Sequence, residues 1–111
     1  MALADDLARR FGLTEQERGL LAVGPAAMDR RERRIYHAAI QPRLGQFRAY
    51  LEGELERGDP ETARRWATAT AFAIVARGHA SVIDQLVIDI VGRRTVSAIM
   101  DAARGSPGAP R

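Results

Sequence analysis

The stretch at residues 66–91, WATATAFAIVARGHASVIDQLVIDIV, constrains the fold more than any other part of the chain. It is the most apolar segment, and Arg77-Gly78-His79 interrupts it once. Between Ala67 and Ala76, apolar side chains lie nearly all round a helical wheel, and the many alanines allow close backbone approach. A helix of this kind lies in the middle of a bundle or between two subunits. The stretch therefore predicts a helical hairpin that forms the core.

The second half of this hairpin begins near Ser81, a residue type that often caps helix N-termini. Its apolar positions cover about half of the helix circumference, more than a surface helix needs. They are Val82, Ile83, Leu86, Val87, Ile90 and Val91. Past Gly92 the apolar residues Val96, Ile99 and Met100 fall on a different side, so we expect a kink or a new helix at Gly92.

Glycine, proline and capping residues divide the upstream chain into further helices. Gly12 should end the first helix, and Thr14–Glu17 forms a capping box for the second. Gly24-Pro25 ends the second helix, and Pro25 suits the first turn of a third that runs to about Ile40. Pro42 then forces a break or a kink.

The fourth helix, at about 43–57, has a one-sided apolar stripe formed by Leu44, Phe47, Leu51 and Leu55. In Gly58-Asp59-Pro60, Gly58 can take the left-handed conformation and Asp59 can cap a fifth helix. No run alternates with period two over a useful length. The predicted fold class is therefore all-α, a compact bundle of about five to seven helices over residues 1–104. A disordered tail is expected at 105–111.

Composition narrows the classes of function. At 111 residues the chain fits one domain, and the absence of cysteine excludes disulfides, thiolate catalysis and cysteine-bound zinc. The net charge is only +3, and all 17 basic residues are arginine, which hardly titrates, so the high pI is poor evidence for nucleic-acid binding. The longest uncharged run, Trp66–Ala76, is shorter than the ~20 residues of a membrane-spanning helix. We expect a cytoplasmic protein without a membrane segment.

An arginine-rich run, Asp29-Arg30-Arg31-Glu32-Arg33-Arg34, opens the predicted third helix. Arg30, Arg34 and His37 fall on one polar stripe of this helix. We interpret the run as a solvated face with an Asp29–Arg33 ion pair. The alternative is an anion or nucleic-acid contact through Arg30, Arg33, Arg34 and His37, which the interspersed acids disfavour.

The remaining polar residues are interpreted as structural. Asp89 precedes Arg93 by four residues, a spacing that predicts an intrahelical ion pair. Asp84 is expected to be solvated or to pair with Arg77 or another arginine. Neither His37 nor His79 has a second ligand at metal-binding spacing, so no metal is expected. No phosphate loop, Ser/His/Asp arrangement or paired carboxylates are visible, so we expect no catalytic residue and no cofactor.

From about Tyr36 to Met100 the chain resembles the helical N-terminal sensory domains of RsbR-type stressosome proteins and of PucR-like regulators. The shared features are the leucines of 44–55, Gly58-Asp59, an alanine-rich helix, Arg77-Gly78-His-Ala-Ser81, and the basic Gly92-Arg93-Arg94. The resemblance implies a globin-like or bundle-like α fold that dimerises and relays signals without chemistry of its own. The output domain that usually follows is not expected in this protein, so we expect any signal to pass to a separate partner protein. No functional residue carries over.

Two classes of function therefore compete, with a ligand-binding enzyme subunit third. The first is a non-enzymatic regulatory or sensory module that acts as a homodimer through its last two helices. Its predicted interface consists of Ala67, Thr70, Ala71, Phe72, Val75, Val82 and Leu86. The alternative is a small nucleic-acid-binding protein that uses the arginine-rich helix face.

Overall fold

The computed structural model describes residues 3–105, apart from the side chain of Ala98 and the solvent exposure of Gly105, and over this range it is an all-α bundle. Its α-helices are α1 (Leu3–Phe11), α2 (Glu15–Leu21), α3 (Arg30–Ile35), α4 (Leu44–Arg57), α5 (Glu61–Arg77) and α6 (Val82–Gly105). The all-α prediction is confirmed, and no strand occurs within 3–105. Of the tail predicted at 105–111, Gly105 belongs to α6 and the rest lies outside the described residues.

Several predicted helix ends are confirmed in detail. Thr14 Oγ1 accepts a hydrogen bond from the Glu17 amide at 3.1 Å, and the Thr14 amide donates to Glu17 Oε1 at 2.9 Å. Gly12 has a φ of 64°, the left-handed conformation expected after α1. Gly78 ends α5 with a φ of 90°, and Ser81 then caps α6 by accepting from the Asp84 amide at 3.1 Å.

The predicted start of α3 is wrong. Pro25–Ala27 forms a separate 3₁₀ turn, and the helix begins at Arg30. Asp29 is its N-cap, accepting from the Glu32 amide at 2.8 Å, while Glu32 accepts from the Asp29 amide at 2.9 Å. This reciprocal capping box holds the Asp29 carboxylate, so the predicted Asp29–Arg33 ion pair does not form.

The predicted break at Pro42 is confirmed as an irregular connection between two helices. A π-helical turn, Tyr36–Ile40, and a 3₁₀ turn, Gln41–Arg43, join α3 to α4. Proline has no amide proton and its ring clashes with the preceding turn, so regular α-helix resumes only at Leu44.

Two further expectations about glycine are wrong. Gly58 has a φ of −80° and is extended rather than left-handed, although Asp59 does cap α5 by accepting from the Glu61 amide at 2.9 Å. The helix α6 continues without interruption through Gly92, so no new helix starts there. A glycine inside a helix costs only about 1 kcal/mol relative to alanine, which does not force a break.

The core lies between α4 and the first half of α6, with α1 and α2 closing one end. Its buried apolar side chains are Leu3, Leu7, Leu20, Leu21, Met28, Tyr36, Ile40, Phe47, Leu51, Leu55, Trp66, Val82, Ile83, Leu86, Val87 and Ile90. Three of the four stripe residues predicted for α4, Phe47, Leu51 and Leu55, are buried here, and Leu44 is half-buried.

The helix α5 contributes little to this core, since only Trp66 and Thr70 are buried along it. Alanine side chains bury little apolar area, so covering α5 gains less free energy than covering the valines, isoleucines and leucine of α6. The middle of the bundle, one of the two positions predicted for α5, is therefore excluded. The other position, between two subunits, stays a prediction.

Candidate functional site

The structure divides the seven predicted interface residues into two groups. Thr70, Val82 and Leu86 are buried inside the chain, so they offer no surface to a partner, and this corrects the predicted set. A helical wheel predicts them at an interface because it cannot show which neighbour covers an apolar face. The remaining members, Ala67, Ala71, Phe72 and Val75, are half-buried or exposed.

Phe72 and Val75 form the centre of an uncharged surface on α5. Their exposed fractions are 70% and 82%, and the neighbouring Ala71 is also exposed. We call these three residues the α5 surface. Large apolar side chains this exposed on adjacent turns leave apolar area in water that a partner could cover.

A second exposed apolar surface lies along α6. Ile88, Val96, Ile99 and Met100 are between 44% and 62% exposed, and we call these four residues the α6 surface. Ile88, Val96 and Ile99 fall on one face of the helix, with Gly92 between them. A Cβ at Gly92 would meet no atom within 4 Å, so this face is open.

The second half of α6 extends beyond the core. Ile90 is its last buried residue, and every described side chain from 92 to 104 is exposed. The helix has 24 residues, a length of about 36 Å, and the molecule measures 56 × 28 × 22 Å along its principal axes. The part of α6 from 92 to 105 is a short helical segment. Such a segment is marginally stable in water unless something packs against its apolar face.

The arginine-rich face is exposed in the structure. Arg30, Arg31, Arg33 and Arg34 all point to solvent, and none forms an ion pair with another residue in the described range. His37 is also exposed, and its Nδ1 lies 2.6 Å from Gln41 Oε1. The predicted contact residues therefore lie together on one side of α3 and the following turn.

The ion pairs of α6 differ from the prediction. Asp89 pairs with Arg48 of α4, at 3.4 Å, and accepts from Gln85 Nε2 at 3.2 Å. Arg93 lies 3.8 Å from Glu52, so the predicted Asp89–Arg93 pair is wrong. Arg48 and Glu52 of α4 thus take the place of the intrahelical partners of Asp89 and Arg93. The spacing within α6 alone could not reveal these partners.

Among residues 3–104, Asp84 is the most buried charged residue, with an exposed fraction of 4%. Its Oδ2 accepts from Arg77 Nη1 at 2.5 Å and from the Ser81 amide at 2.9 Å. Pairing with Arg77 was one of the predicted alternatives and is confirmed. The pair ties the end of α5 to the start of α6, a structural role.

The loop before α3 packs tightly against the loop between α5 and α6. A Cβ at Gly24 would lie 2.4 Å from the Ala80 carbonyl oxygen, so only glycine fits there. The Val82 amide donates to the Val23 carbonyl at 3.2 Å across the same contact. His79 lies beside Gly24, and its Nε2 is buried without a hydrogen-bond partner among the described residues.

Next to this contact is a cavity of about 230 Å³ between α4 and the start of α6. Arg48, Gln85 and Asp89 lie at its polar side, and Tyr36 lines it as well. Sequence reasoning assigned no role to Arg48, because its neighbours come from a distant part of the chain.

Within residues 3–105, no group of three or more histidine or acidic side chains is placed to hold a metal ion. No helix in the same range has the length and apolarity needed to cross a membrane. Searches of family models, curated proteins and solved structures gave no match to this chain.

Proposed function

We propose that this chain is a non-enzymatic helical module of regulation or signalling that acts as a homodimer. The observation that carries the proposal is the second half of α6, which leaves the core with Val96, Ile99 and Met100 exposed. A helix in this state gains stability when its apolar face is covered. The resemblance to dimeric sensory domains of stressosome and PucR-like proteins supports the same function.

A second copy of the chain is the proposed partner. In an antiparallel pairing about a twofold axis, Val96 lies opposite Ile99 of the second copy and Ile99 lies opposite Val96 of that copy. The same apolar face is then covered on both copies. Two copies would then cover the α6 surface in a cytoplasmic dimer that passes its signal to a separate partner protein.

Light scattering after size exclusion, at high micromolar concentration, tests the dimer. We expect a dimer for the wild type and a folded monomer for Val96→Glu and Ile99→Glu. Gln46→Glu adds the same charge at an exposed position of α4 and serves as the control. A monomeric wild type overturns the proposal.

The α5 surface provides the matched comparison for locating the interface. Phe72→Glu and Val75→Glu should leave the dimer intact if the α6 surface forms it. If instead these two variants are monomers while Val96→Glu and Ile99→Glu remain dimers, the interface lies on α5.

A second candidate function is nucleic-acid binding through α3. The observation that favours it is the group of four exposed arginines without ion pairs among the described residues. Phosphate contacts of this kind lose affinity steeply as salt is raised. Fluorescence anisotropy with a generic DNA duplex at two salt concentrations would show salt-dependent binding. That binding should disappear when Arg30, Arg33 and Arg34 become glutamine and persist in Arg64→Gln, a substitution on α5.

A further inference from the structure

The cavity between α4 and α6 combines one apolar side with one pair of opposite charges. Its volume is about 230 Å³. The residues that carry the argument are Tyr36, Leu44, Arg48, Val82, Leu86 and Asp89. Tyr36, Val82 and Leu86 belong to the core, so this side of the cavity has a fixed, apolar shape.

The polar side holds the guanidinium group of Arg48. Its Nη2 reaches Asp89 Oδ2 at 3.4 Å, a long hydrogen bond. Arg48 Nε is buried without an acceptor among the described residues, so it is out of reach of a ligand and only the Nη nitrogens could bond to one. A guanidinium group has five N–H donors and bonds best to a carboxylate, so the site suits a carboxylate that accepts from Arg48.

Asp89 supplies the complementary charge at the same side. Its Oδ1 already accepts from Gln85 Nε2 at 3.2 Å, and each carboxylate oxygen can accept a further hydrogen bond. A ligand that brought only a negative charge to Arg48 would also meet the Asp89 carboxylate. A ligand with both a carboxylate and an ammonium group avoids this repulsion.

We propose that the cavity binds a small zwitterion with an apolar side chain, that is, an apolar amino acid. Its carboxylate accepts from Arg48, its ammonium group donates to Asp89, and its side chain lies against Tyr36 and Leu86. A water molecule occupies about 30 Å³, so the cavity has room for roughly seven waters or for an amino acid of leucine size.

This inference deepens the proposed sensory function and rests on it for the biological role of the ligand. The binding itself is independent of the dimer, because the cavity lies between α4 and the first half of α6. The α6 surface lies further along the helix, apart from Ile88, and none of its residues lines the cavity. A failed dimer test therefore leaves the ligand test informative, and the reverse also holds.

The test is a titration of the ¹⁵N-labelled full chain with L-leucine, followed by amide chemical shifts. We expect saturable shifts at Leu44, Arg48, Val82 and Gln85. Two leucine analogues provide the matched comparison: 4-methylpentanoate lacks the ammonium group and 3-methylbutylamine lacks the carboxylate. Each should bind at least about tenfold more weakly, a loss equal to about 1.4 kcal/mol.

Variants on the two charges separate ligand binding from unspecific effects. Arg48→Lys keeps the charge but removes the planar fork of N–H donors, and it should weaken leucine binding by about tenfold. Arg93→Lys, on an arginine of α6 that does not line this cavity, should bind leucine like the wild type. Asp89→Asn should abolish the preference for leucine over 4-methylpentanoate, which keeps the proposal testable if Arg48→Lys does not fold.

The proposal is overturned if leucine causes no saturable shift up to about 10 mM, a range that would reveal even millimolar affinity. It is equally overturned if wild type and Arg48→Lys bind leucine alike. Water alone in the cavity would give the first of these results.

Discussion

At the scale of single residues, the charged side chains of this chain differ mainly in how far water reaches them. Asp84 is buried and bonded to Arg77 and to the backbone, whereas Asp101 pairs with Arg104 at an exposed site. An ion pair in water contributes little to stability, because solvation and side-chain entropy offset the attraction. A buried carboxylate that loses its charge leaves its partners without compensation.

We therefore predict that Asp84→Asn lowers the free energy of unfolding by about 2 kcal/mol, measured by urea denaturation. This loss of stability is smaller than for a fully buried ion pair, because the Arg77 side chain is 31% exposed. Asp101→Asn, the exposed control, should change stability by less than about 0.5 kcal/mol. Equal effects of the two substitutions would contradict a structural role for the Arg77–Asp84 pair.

Asp59 provides a prediction about pH. The hydrogen bond from the Arg65 side chain, together with those from the Glu61 and Thr62 amides, holds the pKa of Asp59 below its ordinary value against a smaller opposing effect of burial. Because the folded pKa is lower than the unfolded one, the charged Asp59 stabilises the fold above the unfolded pKa. That contribution is lost as the pH falls through the folded pKa.

The stability difference between wild type and Asp59→Asn should therefore be constant near neutral pH and shrink below about pH 4. Arg65→Gln should raise the pKa of Asp59 toward its ordinary value, which a carboxyl-carbon NMR titration would measure. An unchanged Asp59 pKa in Arg65→Gln would show that the backbone amides alone lower it.

At the scale of helices, α5 and α6 have similar apolar content but different positions. The first half of α6 lies in the core, while α5 covers it with a few side chains and exposes Phe72 and Val75. Two aromatic residues of α5 thus have opposite environments: Trp66 is 9% exposed and Phe72 is 70% exposed.

We predict that Trp66→Ala lowers the free energy of unfolding by about 3–5 kcal/mol, the range for large aromatic side chains in a core. Phe72→Ala in the same helix should change it by less than about 0.5 kcal/mol, as for most surface substitutions. Chemical denaturation measures the free energy of unfolding of both variants. It is carried out at low protein concentration, where a dimer would dissociate. A large loss for Phe72→Ala would mean that α5 is covered even in the monomer.

Glycine substitutions test one helix end, at Gly78, and one helix interior, at Gly92. An added Cβ meets no atom within 4 Å at Gly78 or at Gly92, so backbone conformation alone decides the outcome. Gly92→Ala should raise the free energy of unfolding by about 0.5–1 kcal/mol, since Gly92 lies inside an uninterrupted helix. Gly78→Ala should lower it by about 1 kcal/mol, because Gly78 is left-handed. Thermal denaturation followed by circular dichroism measures both changes, and the same sign for both would contradict the assigned conformations.

At the scale of the whole molecule, charge is unevenly distributed. Of the ten ion pairs between described residues, none involves an arginine of α3. The net charge of +3 equals the number of arginines removed when Arg30, Arg33 and Arg34 become glutamine, since 3 − 3 = 0. Replacing these three residues would therefore cancel the net charge of the protein, and none of the three forms an ion pair within the described range.

The triple glutamine variant should change the free energy of unfolding by less than about 1 kcal/mol, as expected for exposed side chains. Urea denaturation measures this value, and a larger loss would indicate that the arginines stabilise the fold. The same variant serves the nucleic-acid test, so an intact fold is required before loss of binding is interpreted.

The sequence by itself determined the features that depend on neighbours within a few residues. Capping at Thr14 and Ser81, the left-handed stop at Gly12, and the apolar stripe of α4 all follow from local hydrogen bonds and from the helical repeat. Even locally, two arrangements competed at Asp29, where the capping box with Glu32 prevailed over an ion pair with Arg33.

Only the tertiary structure decided which faces are covered and which charges meet. A helical wheel shows that α5 is apolar, but the larger side chains of α6 gain more from burial and therefore occupy the core. Asp89 pairs with Arg48, 41 residues away, rather than with the neighbouring Arg93. The cavity beside that pair is likewise formed by segments distant in the chain, whose meeting depends on packing of the whole bundle and not on any local spacing.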